Sequence, residues 1–169
     1  VQTARVPHPL QTPRGRAVLQ AGIVLAVVVI ADQVVKALIR HDVAVGEQHR
    51  VVGGVVKIVH VRNDGVAFGA FSGGGAIVVV LVVAALAALV YYFATHAQQR
   101  LVWLPTGLLL GGALGNILDR VFHGEVTDFI KLPHWPAFNV ADVAITFGVV
   151  ALLWAIEQGD RRAAEHRPR

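Results

Sequence analysis

Four apolar stretches dominate this chain: Ala17 to Ile39, Ala76 to Thr95, Leu101 to Leu118 and Phe138 to Ile156. A helix rises about 1.5 Å per residue, so each stretch covers roughly the 30 Å of a bilayer's hydrocarbon. Charged residues make up 15% of the chain and hydrophobic residues 55%, where a soluble domain carries about 25% charged residues. The expected class is therefore an integral membrane protein. A cleaved signal peptide fits the first stretch poorly, because it is too long and has no small-residue cleavage site before polar sequence.

The connections divide the chain further. Residues 1–16 read as an N-terminal tail, 17–158 as a four-span domain and 159–169 as a C-terminal tail. Between spans one and two lies a polar region of about 41–72. Within it, Gly53-Gly54 separates two β-branched runs, the pattern of a hairpin, and Asn63-Asp64-Gly65 reads as a turn. Four spans put both termini on one side. The tails hold seven of the fifteen Lys and Arg residues, and Arg100 in the short loop between spans two and three adds an eighth. Positive-inside bias then places tails and loop in the cytoplasm. The basic tails carry no interleaved aromatics, so topology explains the net charge of +4 better than nucleic-acid binding does.

Span parity also sorts the polar residues. Asp32 and Lys36 sit late in span one, and Asn116, Asp119 and Arg120 close span three. Asp128 follows, and Asn139 and Asp142 open span four. With Asn63, all of them map to one membrane face. Asp32 and Lys36 share a helix face at i, i+4, as do Asn116, Asp119 and Arg120. Lipid cannot satisfy such groups, so each stripe should turn into the bundle. Structural roles fit many of them as well. Asp32–Lys36 reads as an ion pair, Asn139 and Asp142 suit a helix N-terminus, and Gly111, Gly112 and Gly115 permit close helix packing.

The absence of cysteine excludes thiolate chemistry and disulfides. No Gly-x-Ser-x-Gly or Ser-Lys pattern occurs, and beyond residue 72 the only hydroxyl side chains besides tyrosine are Thr95, Thr106, Thr127 and Thr146. Eight scattered histidines form no His-Glu-x-x-His pattern, so no metal or other cofactor is expected. Two carboxylates that converge beside a membrane suit water activation; a small transporter or proton relay would use the same aspartates.

The blocks Asn63-Asp64-Gly65-Val66-Ala67-Phe68, Gly111 through Arg120, Val126-Thr127-Asp128-Phe129 and Phe138-Asn139-Val140-Ala141-Asp142, with the Asp32–Lys36 pair, resemble the lipoprotein signal peptidase (signal peptidase II) family in order and spacing. The resemblance implies an all-α membrane protein of four transmembrane helices with a small extracytoplasmic β-sheet cradle and a short amphipathic segment. It implies a bacterial inner-membrane aspartic protease that cuts diacylglyceryl-modified prolipoproteins on the N-terminal side of the lipidated cysteine. The catalytic dyad falls on Asp128 and Asp142. Asn63, Asn116, Asp119, Arg120, Asn139, Asp32 and Lys36 fall on supporting or substrate-binding positions. The expected partners are prolipoprotein and membrane lipid, with the enzyme a monomer. Two positions depart from the commonest pattern: Thr127 stands where valine is usual, and Val143 where serine or threonine is frequent.

Overall fold

A computed structural model describes residues 12–64, 75–97, 99 and 101–165. The tail ends, the block Gly65 to Phe68, the Gly73-Gly74 entry to span two and Arg100 lie outside the described residues. Four helices are found among the rest: α1 (Pro13–Asp42), α2 (Gly75–His96), α3 (Trp103–His123) and α4 (Val140–Glu165). Three strands, β1 (Gln48–Val51), β2 (Val56–Asn63) and β3 (Val126–Lys131), form one antiparallel sheet in that order. Helices α1 and, over Val140–Gly159, α4 are long and apolar enough to cross a membrane.

Helix α1 starts where the sequence supplies a cap. Thr12 accepts a hydrogen bond from the Gly15 amide at 3.0 Å, and Pro13 opens the first turn. Its buried residues Ala17, Ala21, Val28, Asp32, Lys36 and Ile39 form one stripe, apolar for most of its length and ionic near the end. Helix α3 lies between α1 and α4 because its small residues let both approach. A Cβ at Gly107 would sit 2.7 Å from the Ala21 carbonyl oxygen, and one at Gly111 would sit 2.9 Å from Val28 Cβ. On another face, a Cβ at Gly112 would lie 2.5 Å from the Ala141 carbonyl oxygen and 2.8 Å from Ile145 Cγ1. The packing role expected of these glycines is what the structure displays.

Gly112→Ala should therefore destabilise the protein by about 1–3 kcal/mol, since backbone of the first turn of α4 must move. Gly22→Ala makes the matching control. Nothing lies within 4 Å of a Cβ there, so relief of helical glycine should leave stability unchanged or raised by up to about 1 kcal/mol. Thermal melts in detergent separate the two outcomes.

The hairpin expected at Gly53-Gly54 is present. Val51 pairs with Val56, and both glycines adopt positive φ, 63° and 80°, which only glycine takes without strain. The connection expected between Leu118 and Ala137 is more structured than the sequence suggested. Helix α3 continues to His123, where Gly124 ends it with φ 81° and a hydrogen bond to the Arg120 carbonyl. Strand β3 then pairs with β2, and a bulge on β2 between Ile58 and Val61 sets Val61 opposite Asp128. The amide of Ile130 and that of Phe138 each donate to the other residue's carbonyl, which brings the start of α4 against β3. No amphipathic helix separate from α1–α4 occurs among the described residues.

Candidate active site

Asp128 and Asp142 line one cavity of about 300 Å³ at the sheet end of the bundle, together with Asn63, Asn116, Arg120 and Phe138. Local structure sets both carboxylates. Asn139 caps α4: its Oδ1 accepts from the Asp142 amide at 2.9 Å, while Asp142 Oδ2 accepts from the Asn139 amide at 3.3 Å. This is a reciprocal capping box built from Asn and Asp. The expected capping role of Asn139 is thus met, and the side chain does more. Its Nδ2 donates to Asp128 Oδ1 at 2.7 Å and to Asn116 Oδ1 at 3.1 Å.

Every oxygen of the two carboxylates accepts an N–H. Asn63 Nδ2 reaches Asp128 Oδ2 at 2.9 Å, and Asn116 Nδ2 reaches Asp142 Oδ1 at 2.9 Å. Neither carboxylate meets a cation within ion-pair distance among the described residues. Asp128 is nearly fully buried. That burial, with a smaller push from the Asp142 charge, raises the Asp128 carboxyl to about 6 against the opposing donation of Asn63 and Asn139.

Asp32, Lys36 and Asp119 form a cluster of their own and do not line this cavity. Lys36 is wholly buried. Its Nζ contacts Asp32 Oδ2 at 2.7 Å, Asp119 Oδ2 at 3.1 Å and Asn116 Oδ1 at 3.0 Å. Lysine only donates, so Asn116 must present its oxygen to Lys36 and its amino group to Asp142. The other oxygen of Asp32 accepts from the Ala141 amide at 2.9 Å, tying α1 to the first turn of α4. Asp119 accepts from the Thr127 amide at 2.9 Å, which fixes the residue before Asp128. The expected Asp32–Lys36 pair is present, as the core of a larger cluster.

Asn116, Asp119 and Arg120 do not all turn inward: Asp119 is buried, whereas Arg120 is exposed at the cavity rim, with Nη1 on the Asn116 carbonyl at 3.2 Å. The cluster also contains residues the sequence did not single out. Gln33 donates to Asp119 and to the Gly115 carbonyl, and Arg40 donates to Asp119 at 3.4 Å and to Thr127 Oγ1 at 3.1 Å. Arg40 was findable, since Asp32, Lys36 and Arg40 recur at i, i+4, i+8. Gln33 carries no such signal.

Comparison with known proteins places this site. Residues 24–157 match the profile of signal peptidase (SPase) II. The lipoprotein signal peptidase of Halothermothrix orenii is 34% identical over 139 residues, covering 82% of this chain and 96% of its own. That of Moorella thermoacetica is 40% identical over 136 residues, covering 79% and 91%. A bacterial membrane enzyme solved by the in meso method at 2.3 Å superposes with a TM-score of 0.76 and 34% identity over 92% of this chain and 95% of its own. These likenesses decide for a protease over a transporter: the chain belongs to the signal peptidase II family, aspartic proteases that remove the signal peptides of lipoproteins.

Proposed function

We propose that this chain crosses the bacterial cytoplasmic membrane four times, with both termini in the cytoplasm. At its extracytoplasmic face it would hydrolyse diacylglyceryl-modified prolipoproteins N-terminal to the lipidated cysteine, with Asp128 and Asp142 as the catalytic pair. The observation that carries this reading is the single Asn139 side chain. Its Nδ2 donates to Asp128 and its Oδ1 accepts from the Asp142 amide, while the residue's backbone N–H donates to the Asp142 carboxylate, so two carboxylates without an ion pair among the described residues share one cavity.

Two such carboxylates titrate as a pair, and the working form holds one proton. Asp128, raised by burial, is suited to hold it. The protonated member donates a hydrogen bond to the scissile carbonyl. The ionised member takes a proton from water as its oxygen attacks that carbon. Collapse of the tetrahedral intermediate breaks the C–N bond, and a carboxyl proton passes to the leaving amine. Asn63, Asn116 and Asn139 hold the pair in place, and Arg120 at the rim holds the peptide backbone or the lipid head.

An apolar groove of about 570 Å³ between α2, α3 and α4, lined by Leu86, Leu89, Leu109, Ala113, Val149 and Ile145, supports the substrate assignment. Ile145 lines both the groove and the aspartate cavity, so an apolar segment or acyl chain in the groove ends beside the carboxylates. Purified protein should cut a diacylglyceryl-modified precursor peptide before its cysteine and leave the unlipidated peptide intact, as read by mass spectrometry. Equal cleavage of both peptides would remove the lipid from the recognition, and cleavage of neither would remove the function.

The pH profile tests the proton assignment. Ionised Asp128 is the disfavoured form in this site. Its stabilising contribution is therefore present below the unfolded carboxyl value and lost as pH rises through about 6. Activity that needs the proton falls over the same alkaline limb. Asn63→Ala deletes a donor to the ionised form, so this limb of kcat/KM should move upward by about one pH unit. A downward shift or none would show that Asp128 does not hold the working proton.

A further inference from the structure

One rung of the sheet is wholly cationic. Arg50 pairs with Lys57, and Lys57 pairs with Lys131, so three positive side chains stand opposite one another across β1, β2 and β3. Like charges placed directly opposite destabilise a sheet, and no carboxylate among the described residues pairs with them. Lys57 donates to Gln48 Oε1 at 3.3 Å. Segment 65–74 contains no acidic residue.

Strand alternation fixes where the rung points. Lys131 lies on the same face of β3 as Phe129. Phe129 is buried against Ile39 and Val43 at the end of α1. The cationic rung therefore lies beside the level at which α1 leaves the bundle. Beside it the hairpin tip carries an exposed apolar side chain, Val55, at 58% exposure. Cations next to an exposed apolar side chain at that level match the phosphate layer of a bilayer above its acyl chains.

We infer that the sheet face bearing Arg50, Lys57 and Lys131 docks on the phosphate groups of an anionic lipid surface, with Val55 at the hairpin tip entering the interface. This rests on the proposed membrane placement of the sheet, but not on the aspartate chemistry. Docked in this way, the sheet holds β3, and Asp128 with it, at a fixed height over the lipid.

Lipid retention provides the test. Wild-type protein exchanged into detergent containing equal phosphatidylglycerol and phosphatidylcholine should retain the anionic lipid preferentially by native mass spectrometry. The variant Arg50→Gln/Lys57→Gln/Lys131→Gln should lose at least about fivefold of that preference, the share of one contacting cation. Lys57→Arg/Lys131→Arg should keep it, and circular dichroism should be unchanged in both. Asp128→Asn should also keep it, so failure of the dyad and failure of the docking face read out separately. An unchanged ratio in the glutamine variant, or no preference in the wild type, overturns the inference. So does a glutamine variant that keeps its lipid ratio but slows only on precursors with an acidic residue after the cysteine, since that assigns the rung to substrate.

Discussion

Asp128→Asn and Asp142→Asn should each reduce cleavage of a lipidated precursor by about a thousandfold or more. General acid–base catalysis contributes about 10²–10⁴-fold, and a pair acting as a unit loses nearly all of it when either member fails. Asparagine keeps the shape and, through its one oxygen, one of the two N–H bonds accepted at each position, at the cost of an amino group facing the other donor, a loss of about 1–3 kcal/mol that leaves the fold in place. Both variants should therefore insert and fold, with a melt lowered by no more than that loss. That combination distinguishes loss of chemistry from loss of fold. Near-wild-type turnover by either variant would sink the dyad, and a collapsed melting curve in both would recast the carboxylates as structural.

The second large effect concerns stability. Lys36→Met should lower the melting temperature in detergent by roughly 10 °C. Lys36 is the cation that touches Asp32, and it shares Asp119 with Arg40. Removing one partner of a buried ion pair typically costs about 3–5 kcal/mol, because the surviving charge stays buried without compensation. For a chain of this size each kcal/mol moves the melting point by about 2–4 °C. Adding Asp32→Asn to Lys36→Met removes the stranded charge and should recover part of the loss. A Lys36→Met protein that melts like wild type would mean that Asp32 and Asp119 take up protons or water at little cost. Activity should fall as well, because Lys36 sets which end of the Asn116 amide faces Asp142.

Features written in local sequence were legible before the structure. The hairpin follows from two glycines between β-branched runs, and the helix ends fall within a few residues of the apolar stretches, except where α1 and α4 run on into polar sequence and α3 runs on to His123. Close packing at Gly111, Gly112 and Gly115 was readable from their small size. Strand β3 was not readable, since Val126–Lys131 becomes a strand through pairing with β2 and Phe138. The supporting cluster was half visible: Asp32 and Lys36 declared themselves by spacing, while Gln33 and Thr127 acquire partners only when α3 and β3 arrive. The separation of Asp128 and Asp142 from Asp32 and Asp119 came from family resemblance. The structure adds an independent physical contrast, because among the described residues the latter two touch cations and the former two do not.

The Asn139 side chain joins α3, β3 and α4 through bonds to Asn116, Asp128 and Asp142. A chain part-way through membrane insertion holds these residues on segments that have not yet met. Under the proposed chemistry the enzyme is therefore inert throughout its own biogenesis. Order of assembly then does the work of a zymogen.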